Sequence, residues 1–382
     1  MHILRISNSL GPSSAPLNSF TLARSRIFSN ESTTYIVFRK SKFWGEELKK
    51  EYYKDLNISE NQGGFVKFIY IQGSLLKFYK YVKKWLDKAK DRKTSSIVHI
   101  HHPKRGFWFT SLFKLFRIQT PIVYTVHNNY NNYKRKEKVF LIFCFLFSDI
   151  VTFVSQSSFN SFQYKYIKPS NDKSIVIPNG VDVDRIESYL SKATCDHSNG
   201  YNEDHVIKLI SIGRFVDQKN HMFLIDVMSK LSSSFILEIY GDGDLRNEIF
   251  TMIQNKKLTS YVKLKGNVSR KEVVLAMYNS DIFISPSFWE GLPMALLEAM
   301  AVGLPSLVSN IPAHREIKQK AESLLLADLH VDTWVYYLNQ LSSMSHVQKK
   351  HIVDNNKQVV RKHYSINKMQ NHYRKIYERL LQ

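Results

Sequence analysis

The chain has 382 residues, 43% of them hydrophobic and 13% aromatic, with 54 Lys and Arg against 33 Asp and Glu for a formal charge of +21. It is long enough for two domains, too apolar for a disordered chain and too even in composition for a repeat or a fibre. Residues 1–150 hold 26 basic and 10 acidic side chains, 151–350 hold 21 of each and 351–382 hold 7 against 2, so an anionic partner is expected at the first 150 residues and the tail.

In chain order, β-rich runs at Ile3–Ser7, Thr34–Phe38, Phe65–Ile71, Ile97–Ile100, Ile122–Val126 and Ile150–Val154 alternate with helical patterns. Such alternation predicts βαβ units and a parallel sheet. Ser188 to His205 is polar and nearly free of large aliphatics, which marks a domain boundary. Strands resume at Val206–Ile212, Phe235–Tyr240, Tyr261–Leu264, Asp281–Ser285 and Ser306–Val308, and a basic helical tail follows. The expected domains are residues 1–190, 205–350 and 351–382. Two cysteines, Cys144 in an apolar run and Cys195 in a polar one, argue against a disulfide scaffold or Cys-based zinc site and fit a reducing compartment. The longest wholly apolar run, Val139–Phe147, has nine residues, far short of the ~20 of a membrane span. The first residues read as a strand without a signal-peptide core, so a cytoplasmic location is expected.

The densest chemical signal is Ser285-Pro286-Ser287-Phe288-Trp289-Glu290-Gly291-Leu292-Pro293, running into Met294–Met300. It leaves a strand, turns at a glycine and enters an apolar helix whose first residue is expected to be Pro293, where a missing N–H costs least. A helix start at the carboxyl end of a parallel strand receives phosphate. Glu298 follows about 7.5 Å along the axis at ~1.5 Å per residue. The two carboxylates could hold hydroxyls at both ends of a nucleotide diphosphate sugar; alternatively, Glu290 caps the helix and Glu298 faces solvent. Gly213-Arg214-Phe215-Val216-Asp217-Gln218-Lys219-Asn220 places two cations in a loop after a strand, a fork and a point charge suited to a departing diphosphate. Gly241-Asp242-Gly243 also follows a strand, but Arg246 occupies the sixth position of a dinucleotide fingerprint, which argues against nicotinamide.

Taken together, Glu290 to Glu298 within Glu-Gly-Leu-Pro, Gly213-Arg214 with Lys219-Asn220, Gly241-Asp242-Gly243 and Ile177-Pro178-Asn179-Gly180-Val181-Asp182 resemble family 4 of the retaining, nucleotide-sugar-dependent glycosyltransferases. The resemblance implies a GT-B fold: α/β, two Rossmann-like domains facing across a cleft, with a C-terminal helix returning to the first. It implies that Arg214 and Lys219 bind the donor diphosphate, Glu290 the sugar hydroxyls and Glu298 the ribose. Gly291, Leu292 and Pro293 would supply backbone contacts near the phosphates, with Gly241 and Gly11 also at the donor. Where the family commonly has a glycine pair, this chain reads Gly11-Pro12-Ser13-Ser14, and Asp244 stands where the family often has Pro.

His99, His101 and His102 end one predicted strand, and His127, with Asn128 beside it, ends another, so their imidazoles are expected in the crevice between domains, with a core or helix-capping role as the alternative, above all for His99. A zinc reading is weakened because His99 and His101 point opposite to His102 on a strand and no carboxylate stands at ligand spacing. By resemblance His127 lies near the reacting sugar, and His101 and Asn128 are candidates on the acceptor side. Asp182-Val183-Asp184 and Asp242-Gly243-Asp244 spell a metal-binding triplet of the other large glycosyltransferase fold. Arg214, Lys219 and a helix start already supply positive charge, so transfer without metal or other cofactor is expected.

Leu75–Leu86 places Leu75, Phe78, Tyr79, Val82 and Leu86 on one helical face and Lys77, Lys80 and Lys84 toward another. With Phe107-Trp108-Phe109 beside Lys104 and Arg105, and the basic stretch Tyr133–Lys138 before the Val139–Phe147 run, it suggests contact with an anionic membrane surface; alternatively, the apolar face packs on the sheet and the lysines are solvated. The expected activity is hexosyl transfer from a UDP- or GDP-sugar to a cell-surface or lipid-linked glycan, at the inner face of the membrane. The alternatives are a GT-B-fold epimerase or phosphorylase, and a basic nucleic-acid-binding module, which the neutral charge of 151–350 disfavours.

Overall fold

Strand-forming runs separated by helical ones assemble as two parallel sheets. The computed structural model describes residues 2–10, 32–40, 66–70, 75–91, 95–115, 120–163, 169–192 and 206–382. The chain divides into two units, Met1–Gly180 with Ile366–Gln382, and Val181–Ser365.

In the first unit, β1 (His2–Leu10), β2 (Ser32–Lys40), β3 (Val66–Tyr70), β4 (Ser96–Ile100), β5 (Ile122–Val126), β6 (Ile150–Phe153) and β7 (Ser174–Val176) form a parallel sheet in the order β3-β2-β1-β4-β5-β6-β7. β1 lies between β2 and β4, Ile3 opposite both Thr33 and Ile97. Helices α1 (Leu75–Asp91), α2 (Pro103–Leu115), α3 (Arg135–Phe147) and the short α4 (Gln156–Asn160) accompany it. On α1, Phe78, Val82 and Leu86 are buried in the core with Leu4, Ile6, Val98 and Phe109. Its apolar face therefore packs inward, in line with the core-packing alternative for this pattern.

In the second unit, β8 (Ile207–Ile212), β9 (Phe235–Tyr240), β10 (Val262–Gly266), β11 (Ile282–Ser285), β12 (Ser306–Ser309) and β13 (Leu325–Ala327) pair in the order β10-β9-β8-β11-β12-β13. The order reverses between β8 and β11, which pair in parallel through Ile282 with Leu209 and Phe283 with Ile210. Both strands deliver their following loops to one crevice, the switch point where an open α/β sheet binds ligand. The helices are α5 (Val183–Leu190), α6 (His221–Met228), α7 (Arg246–Asn255), α8 (Arg270–Tyr278), α9 (Met294–Val302), α10 (Pro312–Lys318), α11 (Val331–Ser342) and α12 (His346–His363).

The boundaries differ from those expected. The chain leaves the first unit at Gly180, ahead of the polar stretch, because α5 packs against α8 and α9 of the second. The tail is two helices. α12 stays in the second unit, where Asn356 Nδ2 donates to Leu304 O at 2.9 Å, and only α13 (Ile366–Leu381) belongs to the first. Met369, Tyr373, Ile376 and Tyr377 recur at helical spacing on α13 and pack on Ile3, Ile97, Val123 and Ile150. The chain's two crossing points meet where Val181 N donates to Tyr364 O at 2.7 Å.

Under α13 lies a buried polar network. Arg5 and the Tyr377 hydroxyl lie 3.0 and 2.6 Å from His99 Nδ1, while His99 Nε2 is 2.7 Å from Thr125 Oγ1. An arginine only donates, so Nδ1 accepts and Nε2 carries the proton. Burial, then the neighbouring His101, Arg5 and His127, hold the His99 pKa well below the ordinary value. His99 is thus a core residue that ties the sheet to α13.

Candidate functional site

The loop after β8 is built by one buried and one exposed side chain. Phe215 is fully buried, and its backbone is clamped by Phe215 N donating to Asp242 O at 3.0 Å and Leu245 N donating to Phe215 O at 3.1 Å. Arg214, on the other side of the chain, is exposed and makes no ion pair or hydrogen bond through its guanidinium among the described residues. A 3-10 turn at Asp217–Lys219 follows and ends on Asn220 in the left-handed region, φ 51°, a conformation that asparagine tolerates.

The glycines at 241 and 243 make this packing possible. A Cβ on Gly241, whose φ is 131°, would stand 2.0 Å from Gly213 O, and one on Gly243 would stand 2.5 Å from Phe215 O. The Cβ side of Gly241 is therefore filled by the loop that carries Arg214, so Gly241 shapes that loop.

The turn after β11 brings Glu290 back over Lys219. Lys219 Nζ lies 2.6 Å from Glu290 Oε1, with side-chain exposures of 19% and 7%. The same carboxylate accepts Ser287 Oγ–H at 2.8 Å and Gln218 Nε2–H at 3.3 Å. Gln218 also donates from Nε2 to Trp289 O at 2.9 Å and accepts Phe288 N–H at 2.9 Å, stitching the two loops together. Burial alone raises the Glu290 pKa, but the Lys219 charge and the hydrogen bonds from Lys219 and Ser287 outweigh it, so the carboxyl ends below its ordinary value.

Behind Glu290 stands His314 on α10, which the sequence reading did not single out. Its Nδ1 donates to Ser309 O at 2.7 Å, and Ser309 Oγ donates to Ser287 O at 2.6 Å. Burial pushes the His314 pKa down to about 4 despite the favourable Glu290 charge, so the imidazole is neutral at pH 7. No sequence motif marks His314, and Ser287 and Gln218 lie inside the quoted motifs without being singled out; strand order brings Gln218 and His314 to the carboxylate that Ser287 reaches locally.

α9 begins at Met294. Pro293 is its N-cap at φ −79°, ψ 84°, with no side-chain cap bond, one residue from the expected start, because that ψ lies outside the helical range. Gly291, Leu292 and Pro293 are buried beside the uncapped N–H groups of this first turn, where a helix favours negative charge. Glu298 is also buried and ion-paired with Arg270, the first residue of α8, which rules out the solvated-face reading. The two acidic triplets serve locally: Asp182 Oδ1 accepts Arg185 N–H at 3.2 Å to cap α5, and Asp242 Oδ1 accepts Gly243 N–H at 2.8 Å.

In the first unit, β4 and β5 bring His101 and His127 together, with His101 Nδ1 3.2 Å from His127 Nε2. Burial, then the His102 charge, lowers the His127 pKa to about 4. Asn128 is half-buried, and its carbonyl accepts Ser158 Oγ–H at 2.9 Å. Gly11 lies outside the described residues. Among the described residues no three His, Cys, Asp or Glu side chains are grouped so as to hold a metal ion.

The family model for glycosyl transferases group 1 matches residues 197–359, and that for Glycosyltransferase Family 4 matches residues 43–185. The Escherichia coli UDP-Gal:alpha-D-GlcNAc-diphosphoundecaprenol alpha-1,3-galactosyltransferase is 25% identical over 276 residues, covering 69% of this chain and 68% of that protein. The Staphylococcus aureus capsular polysaccharide biosynthesis glycosyltransferase CapH is 29% identical over 233 residues, 59% of this chain and 60% of that protein. Among solved structures, Anabaena HepE in complex with UDP and glucose gives a TM-score of 0.78 at 16% identity over 99% of both chains. With a family match on each half and a phosphate-type constellation at the switch point of the second sheet, the chain belongs to the group 1, family 4 type of GT-B glycosyltransferases.

Proposed function

We propose that this glycosyltransferase moves a hexosyl unit from a UDP-sugar to a lipid-linked or cell-surface glycan, with retention of anomeric configuration, without a metal ion, at the inner face of the membrane. The observation that carries the reading is the buried Lys219–Glu290 pair beside exposed Arg214 and the uncapped start of α9. The printed names of the E. coli and S. aureus relatives, and the UDP bound to HepE, support the donor and acceptor classes.

Arg214 and the first turn of α9 bind the diphosphate, and Lys219, held by Glu290, meets the charge that develops as the C1–O bond breaks. With three donors on its carboxylate and a depressed pKa, Glu290 is a poor nucleophile and suits hydrogen bonding to a sugar hydroxyl. Retention then comes from front-face attack, the departing phosphate oxygen taking the acceptor proton as the acceptor oxygen bonds C1 on the same face. Glu298 is assigned to the ribose. His127, neutral at pH 7, is assigned to the transferred sugar, with His101 and Asn128 beside it on the acceptor side.

The test is incubation with a UDP-α-hexose with and without a lipid diphosphate sugar acceptor, in EDTA. UDP release only with acceptor, and an α-linkage in the product by NMR, are expected. A β-linkage would remove the front-face mechanism, and loss of transfer in EDTA would remove metal independence.

A further inference from the structure

Gln218 stands one residue before Lys219, and its carboxamide is oriented by its partners. Its Nε2 lies 2.9 Å from Trp289 O and 3.3 Å from Glu290 Oε2. A carbonyl and an ionised carboxylate only accept, so the amide nitrogen must face both, and each of its two N–H groups is spent. The backbone of the same residue is tied to the same turn, Gln218 O accepting Phe288 N–H at 2.9 Å. These bonds fix Oε1 on the other branch of the amide. There it is open to solvent and has no protein partner among the described residues, so an acceptor of set direction stands beside Glu290.

Glu290 by itself has little left to offer. A carboxylate has about four lone-pair positions. Lys219 Nζ at 2.6 Å, Ser287 Oγ at 2.8 Å and Gln218 Nε2 take three of them, which leaves an acceptor for one hydroxyl. A hexose carries hydroxyls on adjacent ring carbons, and the next acceptor to hand is Gln218 Oε1, on the side chain that binds Glu290 Oε2. Diphosphate oxygens are themselves acceptors and do not suit an amide oxygen; the donors for them are Arg214 and the first turn of α9.

We infer that the Gln218 carboxamide oxygen accepts a hydroxyl of the transferred hexose, next to the hydroxyl that Glu290 accepts, which makes Gln218 a residue that selects the sugar. The inference rests on the donor-site reading proposed above and extends it from one acceptor to two. The amide is held before the sugar arrives, so little side-chain freedom is lost on binding. A site built to bond a hydroxyl rejects a sugar that lacks it, because the protein acceptor is then left unpaired.

The experiment is calorimetric titration of the full chain, of Gln218→Met and of Gln218→Asn. The ligands are UDP, UDP-glucose, UDP-galactose, their N-acetylamino counterparts and the monodeoxy analogues of the tightest binder. Methionine keeps the length of the side chain and removes the amide; asparagine draws the amide back by one methylene. The parent should lose roughly three- to tenfold in affinity on removal of either of two neighbouring hydroxyls. Both variants should bind UDP as the parent does and the full hexose roughly three- to tenfold more weakly. They should be indifferent to one of the two hydroxyls while still sensing the other. Loss of both sensitivities together would mean that Gln218 acts only by holding Glu290, and would overturn the assignment. So would variants with the parent's profile, or a parent that binds all the analogues alike. A parent chain that binds no UDP would remove the donor-site reading, and this inference with it.

Discussion

The Lys219 ammonium and the Glu290 carboxylate, 71 positions apart in the chain, meet at 2.6 Å where β8 and β11 lie side by side. The Lys219 charge helps hold the Glu290 carboxyl below its ordinary value, and removing either group leaves the other unpaired in a mostly buried place. Lys219→Met or Glu290→Gln alone should cost about 2–3 kcal/mol of stability. The double variant should cost clearly less than the sum, a coupling that denaturant melts in a double-mutant cycle would measure. Turnover should fall by orders of magnitude in all three; strict additivity would mean that the pair does not act as a unit.

Gly241 tests the loop architecture. With Gly213 O only 2.0 Å from the position of a Cβ, Gly241→Ala must push the Arg214 loop away from the 241–243 turn. A loss of about 2–4 kcal/mol in stability is expected, together with loss of UDP-induced stabilisation in a thermal-shift assay. Unimpaired UDP binding would show that the loop's position does not matter to the donor.

The buried histidines set an acid limit on stability. His127, His221 and His314 have pKa values lowered to about 4, about 3 and about 4, burial being the largest cause in each. The unfolded chain therefore binds more protons below about pH 6.5, so stability falls as pH drops from there toward 4, by up to ~1.4 kcal/mol per pH unit for each group. The Glu290 shift is also downward, so its contribution is present above the ordinary carboxylate pKa and is lost only as pH falls through the lower folded value. His314→Gln should flatten the slope between pH 6.5 and 5 in urea titrations, and an unaltered slope would show that His314 does not titrate on unfolding.

Glu298 and Arg270 form a paired unit beside the start of α9. If the carboxylate holds the ribose, the parent enzyme should favour UDP over its 2′,3′-dideoxy analogue, and Glu298→Gln should erase most of that preference while raising KM for the donor. An equal loss of affinity for both nucleotides would assign Glu298 to holding α8 against α9 alone.

Most strands and the loop motifs that follow them were legible because they are local: β-rich alternation, Gly-containing turns after strands, and paired charges a few residues apart. β7 and β13 were not, since Ser174–Val176 and Leu325–Ala327 are each three residues long, too short to show a period. The family models divide between residues 185 and 197, within the polar stretch, whereas the contact division at Gly180 follows from the packing of α5 on α8 and α9, which polarity does not encode. The apolar stripe of α1 and that of α3 look alike in sequence, and only packing shows that Phe78 is buried while Leu146 is exposed. Lys219 and Glu290 were each read as facing the donor. That they face each other, with His314 behind, follows from strand order, which no local pattern encodes.

The central claim is that this switch point receives a nucleoside diphosphate through Arg214. Calorimetric titration of UDP into the parent chain and into Arg214→Ala tests it most directly, since this exposed side chain has no protein partner among the described residues and its removal should leave stability within about 0.5 kcal/mol. The account predicts one UDP site in the parent and affinity at least about thirtyfold weaker in the variant, in line with loss of a charge-assisted phosphate contact of about 2 kcal/mol. Equal affinity in the two proteins, at equal melting temperature, would contradict it.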